Sequence, residues 1–273
     1  MSVSILFIGD IMGRSGRDAL EKHLPKIREH LRPDVVIVNG ENAAHGRGIT
    51  QKICRSFFDL NVDCITTGNH VWDQNEILGY IDQEKRLLRP ANFPENTPGN
   101  GHYIHNTADG KKVVIVNLMA RLFMDPLDDP FKYANDLVRE YRLGHNADAI
   151  FIDFHGETTS EKMAMAQMLD GKVSAVIGTH THLPTADMQI FNGGTGFQAD
   201  AGMSGDYDSV IGIKKEIPIT RFTKKISGGP MRPADGEGTV CGVYLECDSN
   251  GLTKRIEPVI QGPRLINRLP DIV

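Results

Sequence analysis

Short apolar runs at residues 3–8, 35–38 and 62–66 are each closed by a glycine or a polar loop, and they predict buried strands. Between the first two, Leu20, Leu24, Ile27 and Leu31 fall on one helical stripe, with Pro25 placed to kink it. Thr50 is placed to cap a second helix running to about Leu60. Strand, loop and helix in alternation predict βαβ units and a parallel sheet. The middle of the chain changes character. Residues 102–117 predict a hairpin around Ala108-Asp109-Gly110, and Asp129-Pro130 opens a helix with proline in its first turn. Residues 149–154 and 173–177 predict two more strands, separated by a helix whose Met163, Met165 and Met168 read as core filling. Further strand-like segments lie near Gln189, Ile217, Val240 and Ile256, between glycine-rich turns. With no internal repeat and no long linker, one α/β domain over residues 1–273 with a mixed second sheet is the expectation.

Composition narrows the class. At 40% apolar and 24% charged residues the chain is an ordinary globular one, and no apolar run approaches the ~18 residues of a membrane span. A net charge of −5 argues against sequence-blind nucleic-acid binding, so no stable nucleic-acid complex is expected. It leaves room for a small phosphorylated ligand held at a metal. Cys54, Cys64, Cys241 and Cys247 form no C-x-x-C pair, which fits reduced thiols. The first strand begins almost at once, without a basic and apolar leader. A cytoplasmic location is the expectation.

The candidate chemistry lies just after the strands. Asp10 follows the first, Glu41-Asn42 the second and Asn69-His70 the third; the later strands deliver His155, then His180 and His182. In an open α/β sheet the carboxyl ends of strands converge on one crevice. Two carboxylates, two carboxamides and three or four imidazoles suit a pair of divalent metals, and a carboxylate such as Glu41 is suited to bridging them. Each piece also has a plainer reading. Asp10 serves equally as a helix cap, Asn69 as a turn residue and His155 as a hydrogen-bonded core residue. All five strand ends being polar by accident is the less economical account.

Gly9-Asp10, Gly40-Glu41-Asn42, Gly68-Asn69-His70 and Gly178-Thr179-His180-Thr181-His182 resemble the motif set of the calcineurin-like metallophosphoesterases. The resemblance runs over residues 5–182. It departs from the wider superfamily where Asp-x-His reads Asp10-Ile11-Met12 and Gly-Asp reads Gly40-Glu41. Those changes, with Val71-Trp72-Asp73 after the third motif, are similar to the YmdB subfamily. The resemblance implies an αββα sandwich of two mixed sheets flanked by helices. It also implies a dinuclear phosphodiesterase that converts 2′,3′-cyclic nucleotides to 3′-nucleotides by attack of a metal-bridged hydroxide. One metal would take Asp10, Glu41, Asn42 and His182, with Asn42 compensating for Met12. The other would take Glu41, Asn69, His155 and His180. Oxygen and imidazole donors without thiolate suit iron, manganese or zinc and do not choose among them, while three imidazoles argue against an all-magnesium site; the resemblance puts iron first. His70, needed by neither set, is the candidate general acid, or else a residue that only orients Asn69.

Other features carry less. His45 and Arg47 are either phosphate- or base-binding residues or solvent-facing ones. Lys214, Lys215, Arg221, Lys224 and Lys225 read as a solvated strand face sooner than an anion site. Gly9, Gly13 and Gly16 imitate a dinucleotide-binding turn. However, a short-chain oxidoreductase wants Tyr followed four residues later by Lys, and here those positions hold Glu84, Thr107, Leu137, His145, Ile211 and Asp248. A 3′,5′-cyclic nucleotide phosphodiesterase, a phosphomonoesterase and a non-catalytic nucleotide-binding regulator are the alternatives that use the same residues. The resemblance also implies a homodimer or tetramer as a possible assembly.

Overall fold

The computed structural model describes residues 2–271; residues 1, 272 and 273 of the expected span lie outside them. Five strands form the first sheet. β1 (Ser4–Ile8), β2 (Val35–Asn39) and β3 (Cys64–Thr66) are parallel, while β10 (Val240–Cys247) and β11 (Thr253–Gln261) add antiparallel at one side, in the order β11-β10-β1-β2-β3. The second sheet runs β4-β5-β6-β7-β9-β8. Its strands are β4 (His102–Asn106), β5 (Lys112–Met119), β6 (Ala149–His155), β7 (Ala175–Thr179), β8 (Gln189–Ile190) and β9 (Gly196–Gln198). β4 and β8 are its antiparallel edges.

The apolar runs lack alternation because both faces of the central strands are covered. Along β1, Ile5 and Phe7 face the other sheet, while Leu6 and Ile8 meet the helices α1 (Gly13–Leu31) and α2 (Gln51–Asp59). Along β6, Ala149 and Phe151 face inward, and Ile150 and Ile152 meet α3 (Pro130–Glu140) and α4 (Thr159–Met168). The result is helices, sheet, sheet, helices: the αββα sandwich. Phe7 and Phe151 touch across the middle with ring centroids 5.0 Å apart.

Local signals act as the chain suggests. Thr50 caps α2 by accepting from the Ile53 amide, Asp129 caps α3, and α1 continues through Pro25 to Leu31. One expectation fails. The segment at Ile217 is a helix, α5 (Glu216–Lys224), not a strand, so Arg221 and Lys224 lie on an exposed helix and Lys225 caps it. Ile217, Ile219 and Phe222 lie two and three residues apart, and over so short a window they mimic alternation without separating the two periods. Lys214 and Lys215 precede the helix and pair with Asp235 and Asp208. No helix among the described residues is long and apolar enough to cross a membrane.

Because Phe151 is fully buried in the inter-sheet layer, Phe151→Ala should destabilise the protein by about 3–5 kcal/mol in urea denaturation. A loss below about 1 kcal/mol would show that the layer repacks around the gap.

Candidate metal centre

The parallel strands of both sheets end at the same edge, so the site is built across two sheets and not in the crevice of one. Asp10 lies two residues beyond β1, Glu41 and Asn42 follow β2, and Asn69 and His70 follow β3; the second sheet contributes His155 as the last residue of β6, and His180 and His182 after β7. All eight residues named from the sequence therefore fall on one edge. Asp10, Glu41, Asn42, His155 and His182 are buried.

The tightest gathering is around His155. Its Nε2 lies 3.1 Å from Glu41 Oε2, 2.9 Å from Asn69 Oδ1 and 3.1 Å from His180 Nδ1. Ligand atoms of Glu41, His155 and His180 all lie within 4.8 Å of one another. A second group stands beside it. Asn42 Nδ2 is 2.8 Å from Glu41 Oε1 and 3.0 Å from His182 Nε2, which is 4.0 Å from Asp10 Oδ2. Asp10 Oδ2 accepts the His180 amide, while its Oδ1 is buried with no partner. Asp10 does not cap α1; the cap residue is Met12, and it offers no side-chain bond.

The far nitrogen of each imidazole is occupied. His155 Nδ1 donates to Thr179 Oγ1 at 2.9 Å, His182 Nδ1 donates to the Ile211 carbonyl at 2.8 Å, and His180 Nε2 faces Glu157 Oε2 at 3.2 Å. Each ring thereby turns its other nitrogen into the cluster, as imidazole ligands do when a partner sets the tautomer. Sequence reasoning missed this outer ring of residues. Asp153, fully buried, accepts from Thr179 Oγ1, Thr66 Oγ1 and Asn39 Nδ2, and Asn39 Oδ1 in turn accepts the Glu41 amide. Thr181 sits between two histidines at φ 100° and 69°, a left-handed region that non-glycine residues occupy at a cost. Asp200 Oδ2 holds Thr181 by its amide and hydroxyl, 2.8 Å each, and is itself paired with the buried Lys162 at 3.1 Å. Asp153 falls within the strand predicted over residues 149–154 and Asp200 within no predicted element, and their only signal was a carboxylate inside an apolar run or beside a glycine turn.

His70 stands slightly apart and half-buried. Its Nδ1 is 2.9 Å from Asp73 Oδ2, and its amide approaches Glu41 Oε2 at 3.4 Å. Asn69 Oδ1 lies 2.9 Å from His155 Nε2, and the side-chain contact of His70 is with Asp73. Met12 is buried against Gly46, Gly205 and Gly212, as apolar filling. Gly68 is required for closeness: a Cβ there would collide with Glu41 Oε2 and the His155 ring.

The electrostatics mark the cluster as short of positive charge. Burial pushes the Glu41 carboxyl up, but the adjacent His155 outweighs it and holds Glu41 well below the usual carboxylate range. Burial likewise disfavours a charged His155, yet Glu41, with Asp10 and Asp153, raises it to about 9. Burial and the His155 charge push His180 down to about 3, and burial lowers His182 as well. Burial, opposed by His155 and reinforced by Glu41, holds Asp10 well above the ordinary carboxylate. One proton on His155 is thus shared among three acceptors. Carboxylate, carboxamide and imidazole lone pairs converge, one buried oxygen has no partner, and these donors fit hard or borderline divalent cations.

Two mixed sheets face to face with such an edge define a calcineurin-like metallophosphoesterase fold. A 5′-nucleotidase precursor from Thermus thermophilus shares it at 12% identity, with TM-score 0.55 over 95% of this chain and 54% of that one. The chain itself belongs to the YmdB-like protein family, which it matches over residues 6–259. It is 46% identical over 246 residues, 89% of this chain and 91% of the relative, to the 2′,3′-cyclic-nucleotide 2′-phosphodiesterase of Bacillus subtilis (strain 168). The crystal structure of a novel phosphatase from Mycoplasma pneumoniae superposes with TM-score 0.89 at 31% identity, covering 96% of this chain and 94% of that one.

In metal-free protein the His155 imidazole should stay protonated through neutral pH and titrate near 9, while His180 stays neutral down to about 3. Imidazole NMR shifts followed against pH check both. In Glu41→Gln the His155 value should fall well below 9, because burial is then opposed only by more distant carboxyls. An unchanged value would remove Glu41 as its source.

Proposed function

We propose that this protein is a dinuclear-metal phosphodiesterase that hydrolyses 2′,3′-cyclic nucleotides to 3′-nucleotides, with His70 as the general acid. The observation that carries the reading is the convergence of Glu41, His155 and His180 within 4.8 Å, in a chain 46% identical to a named 2′,3′-cyclic-nucleotide 2′-phosphodiesterase. One cation would be held by Glu41, Asn69, His155 and His180, the other by Asp10, Glu41, Asn42 and His182. Asn42 Nδ2 faces Glu41 and His182, so ligation by its oxygen requires the carboxamide to be turned over. The donors are oxygen and imidazole without thiolate, which suits iron, manganese or zinc, and iron is the first choice for the pair on the family resemblance. Two such cations would supply Lewis acidity toward the phosphoryl oxygens and make water acidic enough to attack at neutral pH. The free, buried thiols of Cys54, Cys64, Cys241 and Cys247 suit a reducing, cytoplasmic setting.

The chain's own residues do the rest. Glu41, held by Asn39 at its amide and beside His155 at its carboxylate, keeps the two ligand groups at a fixed separation. The attacking water forms the new P–O bond and releases one proton to solvent; the bond to the 2′ oxygen breaks, and its electron pair stays on that oxygen. A ribose alkoxide is a poor leaving group, and His70 supplies its proton. Asp73 holds Nδ1 of that ring at 2.9 Å, which fixes its orientation and leaves Nε2 as the nitrogen that gives the proton.

His70→Gln should lower kcat on 2′,3′-cyclic AMP by about 10²–10⁴-fold with both metals retained. The loss on bis-p-nitrophenyl phosphate should be much smaller, since p-nitrophenolate departs without a proton. Equal losses with full metal content would assign His70 to positioning. Elemental analysis should find two ions per chain, with Glu41→Gln weakening both sites and Asn42→Ala mainly the one shared with Asp10. One ion in fully active protein would overturn the dinuclear reading. Metal uptake must displace the His155 proton, so apparent affinity should fall as pH drops below about 9. Affinity independent of pH between about 6 and 9 would exclude His155 as a ligand.

A further inference from the structure

Lys162 is the one fully buried lysine among the described residues. It reaches from helix α4 into the gap left by Gly178, where a Cβ would collide with its side chain and with the Ala199 carbonyl. Its Nζ ends 3.1 Å from Oδ2 of the equally buried Asp200. Burying two charges is costly, and such a pair seldom adds more stability than apolar groups of the same size. Stability alone therefore does not account for it.

What the pair holds does. Asp200 Oδ2 also accepts the amide and the hydroxyl of Thr181, each at 2.8 Å, and Oδ1 accepts the Gly202 amide at 2.9 Å. Only a carboxylate serves all of these donors. An asparagine has a single acceptor oxygen on its side chain, so either Thr181 or Gly202 would face its NH2 group. His180 and His182, on either side of Thr181, sit at φ 100° and 69°. Non-glycine residues keep such a conformation only where their surroundings impose it. The two rings carry their protons on opposite nitrogens. His180 Nε2 faces the Glu157 carboxylate and His182 Nδ1 the Ile211 carbonyl, and both partners can only accept. The inward nitrogens serve different groups, Nδ1 of His180 beside His155 and Nε2 of His182 beside Asn42.

We propose that Asp200, seated on Lys162, is a positioning residue for both ligand groups at once: through Thr181 it holds His180 and His182 in opposite tautomers in the metal-free protein. The inference rests on the phosphodiesterase reading, which assigns the two rings to two cations. The double variant Lys162→Met, Asp200→Asn keeps the net charge and the approximate side-chain sizes. In ¹⁵N NMR of the full-length, metal-free wild-type protein, His180 should carry its proton on Nε2 and His182 on Nδ1, whereas the double variant should show both rings averaged between tautomers. Calorimetric titration with manganese(II) should find both ions bound about 10- to 100-fold more weakly in the double variant. Thr181→Val, which removes only the hydroxyl bond, should move both readouts in the same direction by less. Leu24→Ala, in the helix-side core of the first sheet, should lower the urea midpoint and leave the tautomers and both affinities unchanged. Wild-type tautomers in the double variant would overturn the proposal, as would weakening confined to one ion or equal weakening in Leu24→Ala. Where the double variant fails to fold, Thr181→Val decides, and rings and affinities identical to wild type would overturn it. Loaded wild-type protein that hydrolyses no 2′,3′-cyclic AMP would instead defeat the phosphodiesterase reading, and the ring tautomers would still report on Asp200.

Discussion

The structure turns on a surplus of lone pairs at one buried point. Around Nε2 of His155 stand a carboxylate oxygen, a carboxamide oxygen and an imidazole nitrogen, each about 3 Å away. A single proton is all that the protein itself can place there. A buried group of acceptors with so little positive charge is costly unless a cation joins it. Much of the surrounding architecture serves to hold these groups together in spite of that cost: Gly68 leaves out a side chain, Asn39 fixes Glu41, and Asp153 anchors Thr179 behind His155.

The same constraint explains why the site spans two sheets. Glu41 and Asn69 follow strands of one sheet, while His155 and His180 come from the other. Their approach is as firm as the apolar layer between the sheets, where Phe7 meets Phe151. Asp153 reinforces that layer at its polar end, since it accepts from Asn39 and Thr66 of the first sheet and from Thr179 of the second. A carboxylate sealed in such a place is satisfied entirely by protein donors. It acts as a rivet between the two halves of the site.

Backbone strain contributes as well. His180 and His182 both sit at positive φ, and Thr181 between them is held by Asp200 on the buried Lys162 pair. The arrangement lets positions two residues apart in a short loop meet different side chains, with Nδ1 of His180 turned to His155 and Nε2 of His182 turned to Asn42. A relaxed extended strand would point residues i and i+2 the same way, toward a single centre. The strained loop separates them.

Much of this was legible in the chain. Unbroken apolar runs show strands covered on both faces, because an exposed face would demand alternation. The polar residue after each run shows where chemistry gathers, because parallel strands put their carboxyl ends on one side. Thr50 and Asp129 announced their helices through side chains that cap without help from the rest of the fold. What the chain alone left open was anything set by contact between distant segments. Nothing local marks Asp153 or Asp200 as an anchor, since their donors lie in other strands and helices. Nothing local showed that Asp73 would meet Nδ1 of His70 or that His155 would meet Asn69. Ile217 suited a strand or a helix equally over so short a stretch, and the structure has a helix there. Sequence specifies which groups are available and roughly where each element ends; only the tertiary structure decides which nitrogen of a ring faces inward, because that depends on the acceptor waiting behind it.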